Sequence, residues 1–203
     1  GLNAHNHQHK RFPESLAFTL NNRIRRFLQP PDQLISKLNL RPSDVVVDFG
    51  CGAGFFTVPL SRVAARIIAI DVSSQMLEKA ALYAKKSDAA VEFVRSSGAE
   101  IRLDDESVDV VFLNHVFHEI ADGPRALSEF LRIIRPSGRL AIVERTRGSR
   151  LLGGKLGPPV IDQMEVIRGM ERAGFTVTQT IAHGNDSIII GQKPVLRRSL
   201  PSP

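Results

Sequence analysis

One cysteine, Cys51, and no tryptophan occur in 203 residues, and tyrosine appears once, at position 83. A single thiol excludes a disulfide framework, a thiolate zinc finger and an iron–sulfur cluster held by this chain alone. Aromatic residues make up 6% of the chain, too few for a platform on which successive nucleobases stack. The apolar stretches run to a handful of residues, so none is long enough to cross a bilayer as a helix. No secretory apolar segment stands near the start, and a cytoplasmic chain without membrane contact is the expectation. What is present is 42% hydrophobic and 24% charged residues, the balance of a globular domain able to bury a core without staples. Lys and Arg number 27 against 21 Asp and Glu, a formal charge of +6. That surplus allows an anionic partner, nucleic acid included, without demonstrating one.

Residues 1–13 are polar, with histidines at 5, 7 and 9. They read as a flexible tail, although alternating histidines also suit a metal ion. Leu16, Leu20, Ile24, Phe27 and Leu28 recur at helical spacing with Arg23, Arg25 and Arg26 between them, until Pro30-Pro31 ends the pattern. A short helix over residues 32–38, capped by Asp32, is expected next.

A regular alternation follows. Val45-Val46-Val47 is a β-branched run, succeeded by a glycine turn and a helix through Phe56, Leu60 and Val63. Strands are expected at residues 67–70, 91–94, 108–113 and 140–143, with Arg135-Pro136-Ser137-Gly138 as a turn before the last of these. Between them, a helix from about Ser73 carries Leu77, Ala80, Ala81 and Ala84 on one face. A second, opened by Asp122-Gly123-Pro124, carries Leu127, Phe130, Leu131 and Ile134. A helix over residues 162–173 precedes strands at 175–181 and 187–190, joined through His183-Gly184-Asn185-Asp186 as a hairpin. Continuous apolar strands are those buried on both faces. The fold class is therefore α/β: a doubly wound, Rossmann-like, mostly parallel seven-stranded sheet ending in an antiparallel hairpin, in three αβα layers.

Asp48-Phe49-Gly50-Cys51-Gly52-Ala53-Gly54 stands directly after the first strand. In such a sheet this loop lies at the carboxyl end of the strand, where ligands bind, and glycine lets a ligand approach the main chain. Asp71, ending the second strand, can accept hydrogen bonds from both hydroxyls of a ribose, or cap the next helix. Dinucleotide binders space their glycines G-x-G-x-x-G and set a pyrophosphate on the helix N-terminus. Here the spacing is G-x-G-x-G, Phe55 and Phe56 follow, and Asp48 adds a negative charge unhelpful beside a pyrophosphate. A carboxylate suits instead a cofactor bearing an ammonium group and a sulfonium. Asp48 is also expected to tie down loop amides.

The run from Val45 through Gly54 to Thr57 resembles the first motif of the class I S-adenosylmethionine-dependent methyltransferases, and Asp71 matches that family's ribose-binding acid. Leu103-Asp104-Asp105-Glu106-Ser107-Val108-Asp109 is similar to the entry to its fourth strand, and Leu131 to Leu140 to the passage into its fifth. Gly157-Pro158-Pro159, Glu165-Val166 and Ala173-Gly174-Phe175 resemble the ending of the small type 11 branch. The resemblance covers residues 26–194. It implies S-adenosyl-L-methionine as cofactor, leaving as S-adenosyl-L-homocysteine. Its contacts would come from Asp48, Gly50, Cys51, Gly52, Gly54 and Phe56 of the first loop, and from Asp71, Val72 and Met76 after the second strand. Ser97, Gly98 and Ala99 would follow from the third strand, and Asn114 and His115 from the fourth. Ser96-Ser97-Gly98-Ala99-Glu100 lacks the acidic residue many relatives carry before the small one, so adenine contact is expected from backbone and the Ser97 hydroxyl. The division expected is a tail at 1–13, a helical lid at 14–40, the cofactor-binding domain at 41–193 and a second tail at 194–203.

Other residues carry competing readings. Cys51 is a nucleophile or, better, a small residue tolerated in a tight loop. His115, His118 and Glu119 fall on one face if Asn114 opens a helical turn. They are then metal ligands, structural histidines satisfied by backbone, or the lining of the transfer cleft, with His118 and His115 as candidate catalytic residues and His118 as base. No metal is expected, because the spacing is neither H-E-x-x-H nor H-x-x-E-H. Arg145, Arg147, Arg150 and Lys155 either touch an anionic substrate or belong to a solvated connection. The function expected is methyl transfer to an O, N or C nucleophile of a small-molecule acceptor. The alternatives are an RNA or protein methyltransferase and a catalytically inactive, cofactor-binding partner subunit. Asn114-His115-Val116-Phe117 is not the N-P-P-aromatic turn that clamps an exocyclic amine, which disfavours nucleic acid.

Overall fold

The computed structural model describes residues 30–147 and 159–195. The tail at 1–13, the helix expected over residues 14–28, Arg150, Lys155, Gly157-Pro158 and the arginines at 197 and 198 lie outside the described residues.

Each β-branched run becomes a strand because both its faces find apolar cover. The strands are β1 (Val45–Phe49), β2 (Arg66–Asp71), β3 (Glu92–Arg95), β4 (Val108–Asn114), β5 (Ile134–Arg145), β6 (Thr176–His183) and β7 (Asp186–Gln192). They form one sheet in the order β3-β2-β1-β4-β5-β7-β6. Pairing is parallel from β3 through β5 and antiparallel at β5–β7 and β6–β7. The strand order reverses between β1 and β4, and the crevice outside their carboxyl ends is where this architecture binds ligands.

Alternation along the strands splits the core into two. Val47, Phe49, Ile68, Ile70, Val111, Leu113, Leu140 and Ile142 meet Leu127, Phe130 and Ile133 of α4 (Gly123–Ile133) and Val166 and Met170 of α5 (Gln163–Ala173). On the other face Val46, Ile67, Val110, Phe112, Ala141 and Val143 meet Leu34 and Ile35 of α1 (Pro31–Ser36) and Leu60 of α2 (Thr57–Leu60). Leu77 of α3 (Ser74–Lys86) packs with Ala69 and Cys51. Three αβα layers result. Leu34, Ile35 and Leu38, within the span expected as a lid, are thus part of the sheet's own cover.

Several boundaries differ from expectation for local reasons. α1 begins at Pro31 after Pro30, with Asp32 in its first turn and no side-chain cap, because proline already lacks the amide that a cap would satisfy. The helix after the glycine loop shrinks to the four residues of α2. Arg135-Pro136-Ser137-Gly138 is no free turn but part of β5, bulged against β4. There Ser137 adopts φ +62° and donates its amide to the Lys193 carbonyl. Asp122 and Asp162 cap α4 and α5 as side-chain acceptors. The hairpin turns on Gly184-Asn185, with Gly184 at φ +60°.

Phe130, wholly buried, meets Phe49 edge to face at 5.0 Å between ring centres. Phe130→Ala should destabilise the fold by about 3–5 kcal/mol, read in urea denaturation as a lower midpoint at an unchanged slope. A loss under 1 kcal/mol would show that the α4 contact is not a main tie of this layer.

Candidate active site

The loop after β1 is held by its neighbour rather than by a helix. The amides of Gly50 and Cys51 both donate to the Ile70 carbonyl, at 2.8 and 3.0 Å. The Gly52 amide donates to Asp71 Oδ2 at 2.9 Å. Three consecutive N–H groups are thereby turned onto the end of β2, where a phosphate-binding loop would turn them toward its ligand. The four-residue α2 that follows offers no helix terminus of use to a pyrophosphate either.

Two of the glycines differ in purpose. Gly50 sits at φ +71°, and a Cβ there would stand 2.5 Å from the methyls of Val116. Gly52, at φ +53°, would meet nothing within 4 Å. Gly52 is therefore the place where a ligand can approach the main chain. Asp71 has a second bond, from the Ser73 amide to Oδ1 at 2.9 Å. An ionised carboxylate offers about four acceptor positions, so two remain, enough for a vicinal diol. Ser73, not Asp71, caps α3.

A cleft of ≈ 670 Å³, counting the part open to solvent, lies above this loop. Asp48, Gly50, Cys51, Gly52, Phe56, Met76, Asn114 and His115 line it as the sequence suggests, and Ala53, Phe55 and Val116 join them. Phe55 was legible as a neighbour of Phe56, whereas Val116 enters only through its contact with Gly50. Gly54, Asp71, Val72, Ser97, Gly98, Ala99 and His118 lie outside the cleft's lining, His118 two residues beyond Val116 of that lining. Gly54 packs on Ala80, where an added Cβ would stand 3.2 Å from that side chain's. Val72 and Ser97 are exposed beside Asp71, whose carbonyl accepts from the Ser96 amide at 3.2 Å. Gly98 is packed against Ala126 and Ile120, and Ala99 accepts from Arg125 Nε at 3.1 Å. In this segment it is the Ser96 hydroxyl that donates to the Glu100 carbonyl.

Among the described residues, Asp48 is the one carboxyl in the cleft's lining, and Asp71 stands beyond it. Asp48 is buried and accepts from the Thr57 hydroxyl at 2.6 Å, while the amides of Gly50, Cys51 and Gly52 go to Ile70 and Asp71. Burial pushes its carboxyl from 3.8 up to about 7; the Thr57 bond opposes this, and the like charge of Asp71 adds to it. Burial, then Asp48 and Asp71, push the Cys51 thiol above its ordinary range, which removes it as a nucleophile near neutral pH.

The two histidines meet through a kink, not a helical face. His115 stands at φ +55°, a left-handed position, and a 3₁₀ turn follows at Phe117–Glu119. His115 Nε2 lies 3.0 Å from Asp186 Oδ2. His118 Nδ1 lies 2.9 Å from Glu144 Oε2, which stands 4.0 Å from His115 Nδ1. Hydrogen bonding to Glu144 raises His118 above its ordinary value, partial burial opposes it, and the charges of Glu144 and Glu119 add to the rise. Glu144 and Asp186 carry no local sequence signal. Their strand register alone brings them here. Among the described residues no three His, Cys, Asp or Glu side chains are arranged to hold a metal ion. Arg145 is buried and Arg147 exposed.

A family model described as a methyltransferase domain matches residues 47–142. A solved S-adenosylmethionine-dependent methyltransferase from Aquifex aeolicus superposes with a TM-score of 0.81 at 28% identity, over 90% of this chain and 99% of that one. Residues 47–142 thus form a methyltransferase domain of the type 11 kind, on the fold of an S-adenosylmethionine-dependent methyltransferase. A ubiquinone biosynthesis O-methyltransferase of Rhodopseudomonas palustris is 30% identical over 139 residues, 68% of this chain and 53% of that protein. A malonyl-[acyl-carrier protein] O-methyltransferase of Yersinia pestis is 35% identical over 105 residues, 52% of this chain and 38% of that one. The chain thus spans about half or less of the length of these curated relatives. The family's cofactor is S-adenosylmethionine, and the donor set fits it: an open main-chain approach at Gly52, two carboxylates of one sign, and spare acceptor capacity on Asp71.

Asp48 yields a pH prediction. Its folded value lies above its unfolded one, so the native state binds the proton more tightly, and the stability this confers is lost as pH rises from about 4 through about 7. Asp48→Asn keeps an acceptor for Thr57 and removes the charge. The variant should be more stable than the parent at pH 8, by no more than about 4 kcal/mol, with the difference shrinking toward pH 5. Melting curves at the two pH values check this, and an equal difference at both would refute the assignment.

Proposed function

We propose that the chain transfers the methyl group of S-adenosylmethionine to an O, N or C nucleophile of a small-molecule acceptor. The observation that carries this reading is the loop whose three amides are turned onto β2 while Asp48 and Asp71 bring negative charge to the cleft region. That arrangement disfavours a pyrophosphate and favours a cationic nucleoside. When bound, the cofactor supplies a methyl carbon already made electrophilic by its sulfonium. The chain's own work is positioning and exclusion of water. Asp48 faces the cationic end and Asp71 accepts the ribose hydroxyls. Phe55, Phe56, Met76 and Val116 keep solvent from the cleft. Val72, Ser97, Gly98 and Ala99 border the adenine, and Asn114 and His115 border the transfer path. His118 takes the acceptor's proton where one must be lost. Both curated relatives are named for transfer to oxygen, which supports an oxygen acceptor here.

Calorimetry with S-adenosylmethionine should show binding that Asp71→Ala weakens by at least tenfold, as expected when hydrogen bonds to a charged group worth about 1.5–3 kcal/mol are lost. Unchanged affinity would remove Asp71 from the ribose. Label from the cofactor's methyl group, offered separately to a metabolite extract and to total RNA, should appear in the metabolites. Label in RNA alone would overturn the small-molecule reading.

A further inference from the structure

Glu144 is a wholly buried carboxylate close to the carboxyl end of β5, the edge of the sheet at which ligands bind. Burying an ionised carboxylate is costly unless hydrogen bonds satisfy it. Two bonds reach it from one residue. The His118 amide donates to Oε1 at 3.2 Å, and the His118 ring reaches Oε2 through Nδ1 at 2.9 Å. A clamp on both the backbone and the ring fixes where the imidazole sits and how it is turned. A carboxylate oxygen accepts from the ring, so in the neutral imidazole the proton is on Nδ1 and the lone pair on Nε2. Nε2 lies 3.8 Å from Glu119 Oε1, beyond hydrogen-bond range. One ring nitrogen is thus engaged by Glu144, and the other carries a lone pair with no bond to that neighbour.

The surroundings select the charge of what can be deprotonated there. His118 is faced by Glu144 from β5 and by Glu119 from its own turn. Behind Glu144 stands the pair of His115, from the end of β4, with Asp186 of β7. Arg145, beside Glu144 on β5 and opposite Asp186, brings a cation to the same corner. A carboxylate acceptor is already ionised and would need no base. A neutral hydroxyl does need one.

We propose that Glu144 is a positioning residue that presents His118 Nε2 as the proton acceptor for a neutral hydroxyl on the methyl acceptor. The acceptor's O–H bond breaks, its electron pair stays on oxygen, and the proton bonds to the Nε2 lone pair. The resulting imidazolium is held against the Glu144 carboxylate, and its proton then passes to water. This assignment rests on the methyltransferase reading and names the substrate class within it.

The test is histidine nitrogen–proton NMR on the full chain without cofactor, titrated from pH 5 to 9. Neutral His118 should carry its proton on Nδ1, and Glu144→Gln, which keeps an acceptor but removes the charge, should lower the His118 midpoint by about one pH unit or more. A neutral-state proton on Nε2, or a midpoint unmoved by the substitution, overturns the proposal. The wild-type tautomer needs no variant, so it decides the matter even if Glu144→Gln does not fold. S-adenosylhomocysteine should bind the Glu144→Gln protein within twofold of the parent, since Glu144 orients the base and does not hold the cofactor. A tenfold loss would overturn the positioning role in favour of a structural one. Failure of the parent itself to bind would overturn the methyltransferase reading, and the base role with it, while leaving the histidine titration as its own separate result.

Discussion

The site depends on three amides, those of Gly50, Cys51 and Gly52, being donated to the Ile70 carbonyl and the Asp71 carboxylate. Those bonds lock the loop after β1 to the last two residues of β2, so neither strand end can move without the other. They also spend the N–H groups that a glycine loop would otherwise offer to a phosphate. Asp71 is consequently a strut, with half its acceptor capacity committed to the fold and half left over. The close fit of Gly50 beneath Val116 extends the same constraint to the far side of the crevice, where β4 ends.

A second theme is the placing of carboxylates where water is scarce. Asp48 near the end of β1, Glu144 near the end of β5 and Asp186 at the start of β7 are all buried. Each comes to the same edge because the antiparallel β7 begins where the parallel strands end. Glu144 is satisfied by His118, Asp186 meets His115, and Asp48 accepts from the Thr57 hydroxyl. An apolar residue at any of the three would serve the core better. Asp48 lines the cleft, and Glu144 and Asp186 stand behind it as partners of the two histidines. The +6 charge of the chain therefore says little about the buried carboxyls at this edge.

Much of the architecture was legible locally. Apolar runs bounded by glycine and proline marked the strands, and Asp122-Gly123-Pro124 marked the start of α4, though not the capping role of Asp122. The length of β5 was not legible, because Arg135-Pro136-Ser137-Gly138 has the composition of a turn. The Ser137 amide and the Lys193 carbonyl, 56 positions apart, pair it into the sheet instead. The α2 helix was overestimated for a related reason: the glycine loop and the aromatic packing of Phe55 and Phe56 consume the turn that helical spacing suggested.

Residues 45–57 and Asp71 were readable as a nucleoside site because a strand, a glycine turn and an acid one strand later lie close along the chain, and local geometry alone carries them to one edge. The partners of the histidines could not be read in that way. Glu144 lies 26 residues from His118, and Asp186 lies 71 from His115. Neither carboxylate has a neighbour in sequence that marks it as functional. Only the register of β4 on β5 and of β5 on β7 sets Asn114 beside Val143 and Arg145 opposite Asp186. That register is decided by the burial of both faces of the sheet, since a slip of one residue would carry every buried side chain to the wrong layer.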